Sequence, residues 1–240
     1  MKNRYLAFDI ETAKVLPEIV NDLKAYRPLG ISCAAVLAEG DERPHLWYSC
    51  DSNGQPCPQM SRDDLSELVD FLKSQVSDGF EIVTWNGLGF DFDILSEESG
   101  RVEDCRKLAI DHIDMMFHVF CENGFAVSLE AAAKAIGPYG KPAGMNATMA
   151  PALWASGKTD AVLEYLSNDC RMTLEVAMVS LLKKSFRWIA HSGNRRDFDL
   201  RSGWLSVREA MLLPQPDTSW MTSPPWPRSK FTAWLHMFDK

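Results

Sequence analysis

The sequence predicts an α/β domain built on a mixed β-sheet flanked by helices, followed by a Trp-, Pro- and Arg-rich C-terminal extension. Three observations lead there. Short apolar strands open the chain, amphipathic helices then mix with further strands, and beyond about Arg195 the composition turns to Pro, Trp and Arg. The domain is expected over residues 1–190 and the extension over 191–240.

Taken in order, residues 4–10 alternate and predict the first strand, and Gly30–Leu37 and His45–Ser49 predict two more. Ser61–Val76 reads as a helix with Ser61 as N-cap and acids in its first turn. Glu81–Trp85 is an apolar strand that ends at the turn pair Asn86-Gly87, with a helix following from about Asp91. Ile110–Asp114 is a short strand candidate, and Ser128–Ile136 a short helix stopped by Gly137-Pro138. Residues 159–186 form the longest helical stretch. In the extension, Ser206-Val207-Arg208-Glu209 has the pattern of a capping box, and a short helix is expected at the end.

Of the 240 residues, 46% are apolar, enough to bury a sizeable core. No apolar run approaches the ~18 residues of a membrane span, so no membrane partner is expected. The opening MKNRYLAFDI lacks the apolar run and cleavage site of a signal peptide, which leads to the expectation of a cytoplasmic protein. Cys33, Cys50, Cys57, Cys105, Cys121 and Cys170 include no C-x-x-C pair, which argues against a zinc or compact disulfide framework and for free thiols. The net charge of −8 is uneven: residues 1–182 hold 15 basic and 28 acidic side chains, and residues from Lys183 onward ten and five. A body of −13 is a poor non-specific partner for nucleic acid, so any such chemistry needs a local site, where bound divalent cations supply positive charge.

Acids converge at three places. In Phe8-Asp9-Ile10-Glu11-Thr12, strand alternation puts Asp9 and Glu11 on one face, roughly 7 Å apart at the backbone, and Leu6, Phe8 and Ile10 on the other. Like charges so close raise each other's pKa unless a cation joins them. In Asn86-Gly87-Leu88-Gly89-Phe90-Asp91, a strand end feeds a helix start, with Asp91 at the helix N-terminus and Asp93 as first-turn charge pointing elsewhere. In Tyr165-Leu166-Ser167-Asn168-Asp169, Tyr165 and Asp169 share one helix face, each one position before a stripe of Leu163, Leu166, Cys170, Leu174, Ala177 and Leu181, and hence at the edge of the core. Each alone has an ordinary explanation: solvated acids at a strand end, an N-cap, an i,i+4 pair.

Together and in this order, they resemble the three motifs of the DEDD exonuclease superfamily over about residues 4–180. The branch is the tyrosine-bearing one (DEDDy): Tyr165 stands four before Asp169, whereas Glu164 occupies the position of the other branch's histidine. The similarity is greatest to the proofreading exonuclease domains of family-B DNA polymerases and their stand-alone bacterial relatives; His112-Ile113-Asp114 and Ser128-Leu129-Glu130-Ala131 also resemble connecting segments of that group. The resemblance implies an RNase H-like fold and a 3′–5′ exonuclease acting on the 3′ ends of single-stranded nucleic acid, DNA before RNA. It implies two divalent metal ions, Mg²⁺ or Mn²⁺, held by Asp9, Glu11, Asp91 and Asp169. Asp9 would bridge both ions, Glu11 and Asp169 would complete one, and Asp91 would serve the other, directly or through water. Tyr165 would orient the attacking water, and Thr12, Asn86, Leu88 and Phe90 would contact substrate, with Trp85 divided between stacking and core packing.

Two other classes stay open. Asp9-Ile10-Glu11-Thr12 also resembles the Asp-x-Asp-x-Thr of aspartyl-phosphate phosphatases, although Glu stands where the second Asp would act and no late Asp-Asp pair follows. A nuclease fold kept for binding or scaffolding is the other. For the extension, Arg195, Arg196, Arg201, Arg208, Arg228 and Lys230, interleaved with Trp204, Trp220, Trp226 and Trp234, read either as a belt packed on the acidic body or as a track for a single strand.

Overall fold

The structure, a computed structural model, describes residues 4–17, 19–20, 22–137 and 147–236; Pro138, expected to stop a helix, lies outside them. Its elements are β1 (Arg4–Thr12), β2 (Ile31–Ala38), β3 (His45–Trp47), α1 (Arg62–Ser77), β4 (Phe80–Thr84), α2 (Asp91–Ser99), α3 (Val102–Asp111), β5 (Ile113–Asp114), α4 (Met115–Asn123), α5 (Leu129–Ile136), α6 (Ala150–Ala155), α7 (Thr159–Lys183), β6 (Ser185–Ile189), β7 (Arg195–Asp199), α8 (Val207–Ala210) and α9 (Ser229–Thr232). Five strands form a mixed sheet in the order β3-β2-β1-β4-β5. β1 is central, antiparallel to β2 and parallel to β4.

Strand alternation divides the core. Leu6, Phe8 and Ile10 pack on one face with Leu65, Leu68 and Leu72 of α1, Phe92 of α2 and Leu108 of α3. Ala7 lies on the other face with Cys33, Ala35 and Val83, under Val162, Leu166 and Cys170 of α7. The sheet thus sits between two helical layers, each burying one apolar face of it. Ser61 caps α1 by accepting from the Asp64 amide, and Ser128 caps α5 by accepting from the Ala131 amide, as their positions in the sequence predict. No described helix is long and apolar enough to cross a membrane.

Some expectations shift. Ile110 and Asp111 close α3 and only Ile113 and Asp114 pair as a strand, because the Ile110 position continues the helical ladder up to the His112 amide, which still bonds the Leu108 carbonyl at 2.9 Å. The long helix ends at Lys183, where Lys184 takes the left-handed region (φ 50°). The chain then turns into the β6–β7 hairpin, whose Phe186 and Trp188 alternate into the second core, so the chain on both sides of residue 190 is paired strand.

The extension enters both cores. Trp204 is enclosed and its indole N–H donates to the Ala177 carbonyl of α7 at 3.3 Å. Ser206 and Glu209 complete the capping box of α8, and Val207 donates its amide to the His112 carbonyl at 2.9 Å. Phe231, Trp234 and Leu235 join the first cluster, with the Trp234 indole donating to the Leu88 carbonyl at 2.7 Å. Trp220 and Trp226 remain exposed. A buried large apolar side chain contributes ~1.5–3 kcal/mol, and whole domains are stable by only ~5–15 kcal/mol. Deleting residues 195–240 should therefore leave a chain that is insoluble or has no cooperative thermal transition. A soluble truncation melting with the parent, followed by circular dichroism, would refute this packing role.

Candidate active site

The first two acids stand where β1 outruns its neighbour. Pairing of β1 with β4 ends at Ala7↔Val83, while pairing with β2 continues through Asp9↔Ala35 and Glu11↔Cys33. Asp9 and Glu11 therefore lie past the paired carboxyl end of β4, the edge at which α/β sheets collect ligand-binding groups. Both are on the face covered by α7; Glu11 is buried and Asp9 half-buried.

Asp91 is supplied by a tight loop. Asn86 takes a left-handed conformation (φ 72°) that asparagine tolerates. A Cβ on Gly87 would meet the Thr84 side chain at 2.4 Å, so only glycine lets the chain double back there. Asp114, buried at the end of β5, clamps this loop by accepting from the amides of Asn86 at 3.1 Å, Leu88 at 2.9 Å and Phe117 at 2.9 Å. Asp91 is the first residue of α2 and is not its cap; its Oδ1 accepts the Ile10 amide of β1 at 3.0 Å. The second motif is thereby bonded directly to the first.

The third motif arrives on α7. Small residues on the facing strands, Ala7, Cys33 and Ala35, let the helix sit close, and the Cys170 thiol reaches the Ala35 carbonyl at 3.4 Å. Tyr165 and Asp169 are buried with Leu166 and Cys170, so they belong to the packed face itself and not to its edge. The predicted stripe is only partly the buried face: its Leu166, Cys170 and Ala177 are buried, whereas Leu163, Leu174 and Leu181 are half-buried and Val162 and Val176 fill the interior beside it. The Tyr165 hydroxyl donates to Asp169.

Electrostatically, the acids act on one another. Burial, then the charges of Asp91, Asp169 and Glu11, push the Asp9 carboxyl well above the ordinary carboxylate range. Burial raises Asp91 to about 7, against hydrogen bonds from Asp9 and the Ile10 amide that lower it. Burial, Asp169 and Glu11 drive the Tyr165 phenol further up from its already high value. Among the described residues, no three His, Cys, Asp or Glu side chains are placed closely enough to hold a metal ion as they stand.

The structure thus brings Asp9, Glu11, Asp91, Tyr165 and Asp169 together from β1, α2 and α7. Asp93 points away: it is buried in an ion pair with Arg27 at 2.5 Å. Leu88 is a correction, since its side chain is wholly enclosed in the first core and offers no surface to a base. Thr12 and Phe90 are half-buried, and Asn86 and Phe90 line a groove of about 580 Å³ beside the loop. Trp85 is half-buried and donates its indole N–H to the Val127 carbonyl at 3.0 Å, a packing role. Asp114 is not among the expected site residues; its only sequence signal is an acid directly after Ile113, as part of His112-Ile113-Asp114. His112 beside it is buried and bonds Thr84 Oγ1 at 2.9 Å, and burial lowers its pKa to about 4, so it is neutral and structural.

A family model, RNase_H_2 of the RNase_H superfamily, matches residues 48–180. Among solved structures, the chain is similar to the family B DNA polymerase from the hyperthermophilic archaeon Pyrobaculum calidifontis, at 21% identity and a TM-score of 0.52, covering 75% of this chain and 25% of that one. The chain therefore spans about a quarter of the length of that polymerase. At this identity the likeness is one of fold, and the fold is RNase H-like, with a mixed five-stranded sheet between helices. No curated protein matches the sequence.

The raised pKa of Asp9 carries a sign. Below the unfolded-state value near 4 the group is neutral in both states and costs nothing. As pH rises toward the folded value the native state is penalised for keeping or losing the proton. Asp9→Asn, whose amide can still donate to Asp91, should melt with the parent near pH 4 without added metal, and several degrees higher near pH 8, at ~2–4 °C per kcal/mol for a chain of this size. A pH-independent difference, or a loss at pH 8, would show that the acids do not repel as described.

Proposed function

The chain belongs to the RNase H superfamily, and from that premise we propose that it is a metal-dependent 3′–5′ exonuclease of the tyrosine-bearing DEDD branch, releasing 5′-mononucleotides from single-stranded 3′ ends. The observation that carries this reading is the convergence of Glu11, Asp91 and Asp169 on Asp9, four carboxyl groups delivered by three separate elements. A set of four oxygen donors that repel one another suits hard divalent cations, Mg²⁺ or Mn²⁺. The likeness to a family B DNA polymerase agrees with the resemblance of the motifs to the proofreading domains of that family.

Asp9, Glu11, Asp91 and Asp169 would hold the ions. When bound, a pair of such ions supplies Lewis acidity to the phosphate and to the attacking and leaving oxygens. The protein's part is positioning. Asp114 fixes the loop that fixes Asp91, and the Ile10 amide ties Asp91 to β1. Tyr165, with its phenol pushed up, does not act as a base at neutral pH; held by Asp169, it orients the water through an oxygen lone pair. Asn86 and Phe90, at the groove beside the loop, would receive the terminal nucleotides, and Thr12 would contact the 3′ end. All six cysteines are free, which suits a reducing compartment, taken here as the cytoplasm.

The test is digestion of end-labelled single-stranded DNA, duplex DNA and RNA with Mg²⁺ or Mn²⁺. Stepwise shortening from the 3′ end is expected, fastest on single-stranded DNA; faster loss of RNA would instead make the enzyme an exoribonuclease. Asp9→Ala should be inactive and Tyr165→Phe slower by about 10²-fold, the low end for a positioned group of this kind. Glu164→Ala, at an exposed position, should match the parent. A folded protein that cleaves no strand with either ion would leave only a binding or scaffolding role, and an Asp9→Ala variant that still cleaves would overturn the assignment of Asp9 to the metals.

A further inference from the structure

We propose that the C-terminal extension completes a track for single-stranded nucleic acid, built from two adjoining grooves and floored by its exposed tryptophans; this rests on the nuclease reading for its direction, with the 3′ end at Asp91. The first groove, about 580 Å³, opens beside Asn86 and Phe90 and is closed on the far side by Trp226 and Lys230 of the extension and Lys24 of the segment after β1. The second, about 650 Å³, is walled by Trp188, Trp220, His191 and Arg196. Ala126, Val127 and Ser128 line both, so the two grooves adjoin along that segment, the first of them beside the loop that ends in Asp91.

The chemistry of this path differs from that of the rest of the molecule. Trp204 and Trp234 bury their rings and commit their indole N–H groups to core carbonyls. Trp220 and Trp226 are 64% and 52% exposed, yet neither hangs loose. The Trp220 ring stands edge-to-face with Phe125 at 5.9 Å, and its N–H donates to the Asp217 carbonyl. Trp226 leans on Phe231 at 6.4 Å and carries the Lys230 ammonium 3.0 Å above its ring. Exposed rings fixed from behind are stacking platforms, and stacking accepts any base.

Cations accompany them. Lys24, Lys230 and Arg196 are exposed along the path. Arg27 and Lys134 also line it but are engaged by Asp93 and Glu130, and Asp22 adds one acid to the first groove. On a body whose first 182 residues carry −13, a path with basic side chains beside aromatic faces selects a polyanion with bases over an acidic or neutral peptide. An arriving phosphate would draw the Lys230 ammonium from the Trp226 ring and free that face for a base.

The experiment uses the full chain with Trp226→Ala, Trp220→Ala and Lys230→Glu, the last at an exposed position outside both cores. Fluorescence anisotropy of labelled oligothymidylates in chelator reads binding apart from cleavage. Each variant should bind a long strand roughly 5–30-fold more weakly, as expected for one lost stacking or charge contact. The loss should shrink for a short strand, and Lys230→Glu should flatten the salt dependence by about one charge or more. Folded variants that bind long strands as the parent does would overturn the track, even if the parent is an active exonuclease. If the parent binds long strands through these residues but cleaves none, the track stands and the nuclease reading falls.

Discussion

Four carboxyl groups are held at one end of a mostly apolar sheet, and keeping them there against their mutual repulsion is the condition on which the rest of the site depends. Burial removes the water that would screen them, so each charge is felt by the others, and Asp9, at the centre, is affected most. A core built for stability alone would place apolar side chains at these positions. The cost of the acids is met locally by the Ile10 amide, which donates to Asp91, and by the Tyr165 hydroxyl beside Asp169. It is met globally by two extensive cores that fix the elements carrying them.

Two devices set how closely the acids approach. Small residues on β1 and β2 lower α7 onto the sheet until Tyr165 and Asp169 are enclosed. Asp114 does the equivalent for the second motif, using one buried carboxylate to gather three amides from the Asn86–Asp91 loop and the start of α4. The extension reinforces the same loop from outside, since the Trp234 indole donates to the Leu88 carbonyl and Phe231 packs beside Gly89, where a Cβ would meet its ring at 2.9 Å. The geometry of the acid cluster and the packing of the extension are therefore joined at one loop.

Much of this is legible in the sequence where a local rule determines the outcome. Alternation along β1 assigns Leu6, Phe8 and Ile10 to one face and Asp9 and Glu11 to the other; Ser61 and Ser128 announce their helices; Ser206 and Glu209 announce α8. Readings fail where a choice is made between segments distant in the chain. Tyr165 and Asp169 look marginal by helix periodicity, yet they are buried where α7 packs through Leu166 and Cys170 on the small residues of β1 and β2. Leu88 sits in a loop motif that resembles a substrate contact, yet Trp234, remote in sequence, covers its carbonyl. The β6–β7 hairpin is hidden because Lys184, with its left-handed backbone, ends a helix that no Gly or Pro marks. Among the extension's tryptophans, composition alone does not separate the buried Trp204 and Trp234 from the exposed Trp220 and Trp226.

The central claim is that the repulsion centred on Asp9 is relieved by divalent cations. Anomalous diffraction from crystals grown with millimolar Mn²⁺ measures this most directly. Manganese peaks are expected among Asp9, Glu11, Asp91 and Asp169, and their loss in crystals of the Asp9→Asn variant. Well-ordered crystals in which these carboxylates hold no manganese, or in which the metal settles only on surface acids elsewhere, would contradict it.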